Sequence, residues 1–148
     1  MSAPVADYAE LHCLSNFTFL RGASRPAELV QRARQLGYSA LAITDECSVA
    51  GVVRAHMALQ EGGAAAPSLK LIIGSEFTLT CGLKFVALAM NRRGYARLCA
   101  LITHGRRNAP KGRYQLTRED VQRHLADCLI LWVPGVAPRA EQLQWLRD

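Results

Sequence analysis

The chain has 148 residues, half of them hydrophobic and a fifth charged, with a net charge of +6; that is the size and make-up of one ordinary soluble globular domain with a real core. No apolar run approaches a membrane span, and Met1-Ser2-Ala3-Pro4 has no basic region followed by an apolar one, so neither a membrane protein nor a signal peptide is read and the expected compartment is the cytoplasm. Five cysteines (Cys13, Cys47, Cys81, Cys99 and Cys128), an odd number without a Cys-x-x-Cys pair, fit reduced thiols better than a disulfide framework or a zinc site.

Strand and helix patterns alternate along the chain. Residues 8–14 read as a strand. Ser24 to Leu36 reads as a helix, with Pro26 early, Gly37 at the stop, and Leu29, Val30, Ala33 and Leu36 on its inner face. Residues 40–44 form the next strand. Ser48 is placed to cap a second helix carrying Val49, Val52, Val53, His56 and Leu59. Gly62 to Pro67 reads as a loop. Residues 69–73 form a third strand, and 76–80 and 83–89 flank Cys81-Gly82 as a hairpin. Asn91 is placed to cap a third helix with Tyr95, Leu98, Leu101 and Ile102 on its apolar face, followed by a basic loop over 104–115. Thr117 and Asp120 have the spacing of a capping box. Leu129 to Val133 reads as a strand, and 140–147 as a helix in which Leu143, Trp145 and Leu146 still need cover. This alternation predicts a mainly parallel α/β sheet or barrel with right-handed crossovers. There are too few strands for a closed eight-stranded barrel, so the expectation is an N-terminal piece of something larger.

Three strand-like runs end in groups that bind metals or phosphates. Leu41 to Thr44 leads into Asp45 and Glu46, Tyr8 to Leu11 into His12, and Leu69 to Ser75 into Glu76. Their charged ends are expected to converge at one edge of the sheet. Charge is also uneven. From Phe77 to Arg118 there is no acid, while nine bases occur there, including Lys84, Arg92, Arg93, Arg97, Arg106, Arg107, Lys111 and Arg113. The rest of the chain is net negative, an asymmetry that suits DNA or an acidic partner surface but reads no base sequence.

Tyr8-Ala9-Glu10-Leu11-His12-Cys13-Leu14-Ser15-Asn16-Phe17-Thr18-Phe19-Leu20, then Leu41 to Gly51, Ile73-Gly74-Ser75-Glu76-Phe77, and Val86 to Asn91 with Gly94-Tyr95 and Leu98, resemble in order the opening of bacterial C-family DNA polymerases. The segment is similar to their polymerase-and-histidinol-phosphatase (PHP) domain, and closest to the error-prone, damage-inducible branch of the polymerase III alpha-subunit family. The resemblance implies the N-terminal portion of a distorted (β/α)7 barrel, mainly parallel with a β-hairpin, spanning residues 1–148. Its functional face would be at the C-terminal strand ends. Active members hold divalent metals there with His, Asp and Glu side chains for phosphoester hydrolysis or 3′-end proofreading.

Carried over by position, His12, Asp45 and Glu76 match ligand positions of that family. Glu46 replaces a histidine but keeps a ligating group. Leu14 replaces the second histidine and has no lone pair. Arg21 stands where many members have an acid, and Lys84 where active members have another histidine. Two cations at ligand positions oppose a metal and are expected instead to pair with Asp45, Glu46 or Glu76. The reading is therefore the PHP domain of an error-prone DNA polymerase in DNA repair and translesion synthesis. It has a structural or interaction role, no cofactor and no catalytic residue in this segment. The parent protein would use Mg2+ and DNA, with the remainder of the polymerase chain, a sliding clamp and translesion accessory proteins as partners. The alternatives are a metal-dependent PHP phosphoesterase or 3′–5′ exonuclease, and a module that docks an acidic protein through its basic stretch.

Overall fold

The computed structural model describes residues 8–61 and 68–147. The loop expected at Gly62–Pro67 lies outside the described residues, as do Met1–Pro4. Five strands form one sheet in chain order: β1 (Ala9–Cys13), β2 (Ala40–Ile43), β3 (Lys70–Thr78), β4 (Lys84–Ala89) and β5 (Cys128–Trp132). The helices are α1 (Pro26–Gln35), α2 (Val52–Glu61), α3 (Arg92–Arg107), α4 (Arg118–His124) and α5 (Ala140–Arg147). β1, β2 and β3 are parallel, β4 runs against β3, and β5 against β4. Four of the five strands therefore point the same way. The result is a mixed α/β half-barrel.

β3 is one strand, where two separate runs were expected. Its first half pairs with β2 through Lys70–Ile73, and its second half pairs with β4 through Gly74–Thr78. The exchange of partners falls at Gly74. A Cβ there would lie 2.7 Å from the Ala87 carbonyl oxygen and 2.6 Å from Leu88 Cδ2, so the close approach of β4 requires glycine. The hairpin turns through Gly82 at φ +80°, closed by Leu79 N–H to Leu83 O and Gly82 N–H to Leu79 O, both 2.8 Å.

Side-chain alternation divides the sheet into two faces. Leu41 and Ile43 pack with Val30, Ala33, Ala55 and Ala58 beneath α1 and α2. Phe85 and Ala87 join Phe77, Leu83, Leu98, Leu101 and Leu116 beneath α3 and α4. The intervening residues Ala42, Val86 and Leu88 face the other way, with Ile72, Leu131 and Val133. This second face is the concave one.

Helix boundaries differ from expectation where loop hydrogen bonds compete. Ser48 does not cap α2; its hydroxyl accepts the Ala50 N–H at 3.1 Å in a local turn, and the helix starts at Val52. The buried stripe is thus Val52, Ala55 and Ala58, while Val53 and His56 are exposed. Leu36 is the C-cap of α1 and half exposed. α3 runs to Arg107, so residues 104–107 are helical. Asn91 accepts the Gly94 N–H, and Thr117 and Asp120 form the expected reciprocal cap. Asp120 also meets His104 Nε2 at 2.9 Å, which ties α4 to α3. All five cysteines are free thiols; burial pushes the Cys13 and Cys47 thiols up to about 11, with Arg106 opposing the shift at Cys47. Among the described residues, no helix is long and apolar enough to cross a membrane.

Candidate functional site

Glu76 is at the centre of the concave face. Its partner in the antiparallel ladder is Val86, and that of Lys84 is Thr78. Glu76 and Lys84 are therefore diagonal neighbours on one face, within reach of a long side chain. Lys84 Nζ stands 3.2 Å from Glu76 Oε1. His12 belongs to β1, which is two strands away, yet its Nε2 meets Glu76 Oε2 at 2.7 Å.

Arg21 completes the cluster from the loop after β1. One guanidinium nitrogen donates to Glu76 Oε1 at 2.5 Å and to Glu46 Oε2 at 2.8 Å, and the other reaches Glu76 Oε2 at 3.2 Å. Glu46 lies beside Glu76 through a parallel bridge between the two residues. Its second oxygen accepts from Tyr114 Oη at 2.9 Å. The Glu76 side chain has no exposed surface. Burial alone would push its carboxyl up, but Arg21, His12 and Lys84 outweigh that and hold it below the ordinary carboxylate value. Glu76 and Glu46 in turn raise the Arg21 guanidinium against the opposing effect of desolvation. The Tyr114 hydroxyl is raised by burial and by Glu46, against a lowering contact from the Thr78 backbone.

The expected pairing of Arg21 and Lys84 with Asp45, Glu46 or Glu76 falls to Glu76 and Glu46, and Asp45 takes no part in it. It is fully buried beside the cluster, but it pairs with neither Arg21 nor Lys84. Oδ1 accepts the Ser15 N–H at 2.8 Å and the Thr18 hydroxyl at 2.7 Å, while Oδ2 accepts the Ser15 hydroxyl at 2.7 Å. The two hydroxyls and the amide satisfy it locally, so it anchors the 14–25 loop. Gly22 packs against the same loop so closely that a Cβ would lie 1.9 Å from the Ser15 carbonyl oxygen. Ser15, Thr18 and Tyr114 were not singled out from sequence. The first two had a readable signal, two hydroxyls just past a strand end, whereas Tyr114 lies too far along the chain from Glu46 for any spacing rule to join them.

The basic residues fall in two groups. Arg93 makes a bidentate pair with Asp127 at 2.7 and 2.8 Å, and Arg97 stands 3.9 Å from the same carboxylate. Arg92 is exposed beside them. At the opposite end of α3, Arg106 donates to the carbonyls of Glu46 and Cys47 and lies over the Tyr114 ring. Arg107, Lys111 and Arg113 are exposed at that end. A 16-residue helix separates the two groups by roughly 20 Å.

Among the described residues, no group of three or more His, Cys, Asp or Glu side chains is arranged to hold a metal ion. The oxygens of Glu76 already face Arg21, His12 and Lys84, and those of Asp45 face Ser15 and Thr18. The donor set as arranged does not fit a metal cluster.

The half-barrel fold is shared with solved structures. The fold matches a protein from Bifidobacterium adolescentis assigned as a metal-dependent phosphoesterase, with a TM-score of 0.54 and 27% identity over 71% of this chain and 35% of that one. It also matches the fold of an amidohydrolase from Chromobacterium violaceum, with a TM-score of 0.52 and 24% identity. The PHP domain family matches residues 10–145, and the chain belongs to it. Its sequence is 56% identical to the error-prone DNA polymerase of Dechloromonas aromatica over 99% of this chain, and 59% identical to that of Alkalilimnicola ehrlichii over 94%. It spans about one-seventh of the length of these relatives, 14% and 13% respectively.

Proposed function

We propose that this chain is the PHP domain of a cytoplasmic error-prone DNA polymerase acting in DNA repair and translesion synthesis, and that its former metal position is now a structural charge cluster. The polymerase would extend a primer with Mg2+ and template DNA through residues outside this segment. The segment itself would hydrolyse nothing, bind no cofactor, and brace the rest of the polymerase. Sliding clamp and translesion accessory proteins belong to the same reading as partners of the whole protein. The observation that carries it is the Glu76 carboxylate, buried and in contact with Arg21, Lys84 and His12. An ion entering beside Glu76 would have to displace Arg21 or Lys84, which would leave an unpaired guanidinium or ammonium beside the metal.

The test is elemental analysis of the purified, washed protein together with phosphoesterase and 3′–5′ exonuclease assays in Mn2+ and Zn2+. The expected result is less than stoichiometric metal and no hydrolysis. One or more ions per chain, with hydrolysis abolished by Glu76→Gln, would overturn the proposal. Such an outcome would support the second reading, a metal-dependent phosphoesterase or exonuclease. The similarity to the Bifidobacterium protein and the nearness of His12 to Glu76 favour that reading.

A further inference from the structure

The loop held by Asp45 presents three apolar side chains to water: Phe17 is 46% exposed, Phe19 83% and Leu20 91%. Its frame is fixed by hydrogen bonds from Asn16 N to Ser24 O, Thr18 N to Ser15 O and Gly22 N to Thr18 O, in addition to the Asp45 contacts. Adjoining exposed phenylalanines on a tethered loop are unusual for a surface with no partner.

Phe17 borders two open clefts. One, of about 440 Å³, is lined by Arg25 and Arg54 together with Asn16 and Pro26. The other, of about 410 Å³, is lined by Phe19, Arg106, Arg113 and Tyr114. Its single acid, Glu46, is engaged by Arg21 and Tyr114. None of Arg25, Arg54, Arg106 and Arg113 forms an ion pair among the described residues. Phe17 and Phe19 thus stand between two grooves lined by arginines that form no ion pair.

We propose that this ridge and its flanking arginines form a binding path for single-stranded DNA, with bases stacking on Phe17 and Phe19 and the backbone running past the arginines. The pairing of flat apolar faces with guanidinium groups is the chemistry that single strands need. Any base can stack on an aromatic ring, and phosphates are drawn by charge without sequence preference. A duplex keeps its bases inside and gains nothing from the phenylalanines. An acidic polypeptide without apolar side chains would use the arginines but not the ring faces. The choice of DNA among single-stranded polyanions rests on the polymerase reading; the ridge itself does not. Asp45 takes on a role here as the anchor that holds the ridge in shape.

The experiment is fluorescence anisotropy of the 148-residue chain with a labelled oligo-dT of about 16 nucleotides, the matching duplex, heparin, and poly-glutamate. The Phe17→Ala/Phe19→Ala variant is expected to weaken oligo-dT binding about tenfold or more and to leave heparin binding unchanged. Arg54→Gln/Arg113→Gln should weaken both and reduce the slope of log affinity against log salt by about 1.4. Phe19→Trp, which keeps a stacking face, should retain affinity, and its fluorescence should be quenched when oligo-dT binds. Thermal melts of every variant establish that each is folded. Unchanged oligo-dT binding by the phenylalanine variant, equal losses for oligo-dT and poly-glutamate, or no binding by the parent chain would each overturn the proposal. Those results would leave the charge-cluster reading standing, because that reading fails only on bound metal and hydrolysis.

Discussion

Replacing Glu76 with glutamine tests whether the cluster is held together by charge. The substitution keeps the shape and removes the one negative group shared by Arg21 and Lys84. The distances from Oε1 to the two cationic nitrogens, 2.5 and 3.2 Å, add to 5.7 Å, so those nitrogens can be no farther apart than that. Two unit charges at that separation repel by about 3 kcal/mol at an effective dielectric of about 20, and by about 0.7 kcal/mol in bulk water. Arg21 and Lys84 are 38% and 31% exposed, so solvent screening brings the repulsion to about 1–2 kcal/mol. Loss of the charged hydrogen bonds adds about as much again. Urea unfolding at pH 7 should therefore show Glu76→Gln less stable by about 2–4 kcal/mol. Adding Lys84→Met removes one repelling cation and should restore about 1–2 kcal/mol of that loss. A single variant within about 0.5 kcal/mol of the parent, or a double variant less stable than the single one, would refute the electrostatic account.

The same carboxylate sets an acid limit. Its folded value lies below the ordinary 4.5, so the stability it confers is complete above that pH and is lost as pH falls through the folded value; acid unfolding curves should be less steep in Glu76→Gln than in the parent. Asp45→Ala should destabilise by at least about 3 kcal/mol, because it strands one amide and two hydroxyls in a buried site, and limited proteolysis should then cut within residues 15–24. Gly22→Ala forces a methyl onto the Ser15 carbonyl and should cost about 1–3 kcal/mol, read as a lower melting temperature with the helical circular dichroism retained.

Local chemistry decided what could be read from the chain. Asn91 and the Thr117–Asp120 pair cap helices within a few residues of themselves, and turn signals such as Cys81-Gly82 act over the same range; such features are legible because sequence neighbours are spatial neighbours. Ser48 misled because its hydroxyl can close a turn as readily as cap a helix. The continuity of β3 was hidden because a strand that changes partners at Gly74 carries two different patterns in one run. At the site, the resemblance placed His12, Arg21, Glu46, Glu76 and Lys84 in one region, and the structure brings those five together. The diversion of Asp45 to Ser15 and Thr18 was not legible, since an aspartate at a strand end looks the same whether it faces an ion or two hydroxyls. The basic stretch shows a different limit. Composition counts charge along the chain, but α3 carries the two halves of that charge to opposite ends of a helix.

The crowding around Glu76 also constrains which sequences can follow this one. Changing Arg21 to an acid would set another negative charge beside Glu76 and Glu46 with one fewer cation to balance them. Changing Lys84 to histidine would leave Arg21 occupying the same oxygens. Because Arg21 and Lys84 share one carboxylate, the effects of changing them are expected to be coupled rather than additive. On the charge-cluster reading proposed above, the cations around Glu76 would thus be hard to replace one at a time without loss of stability.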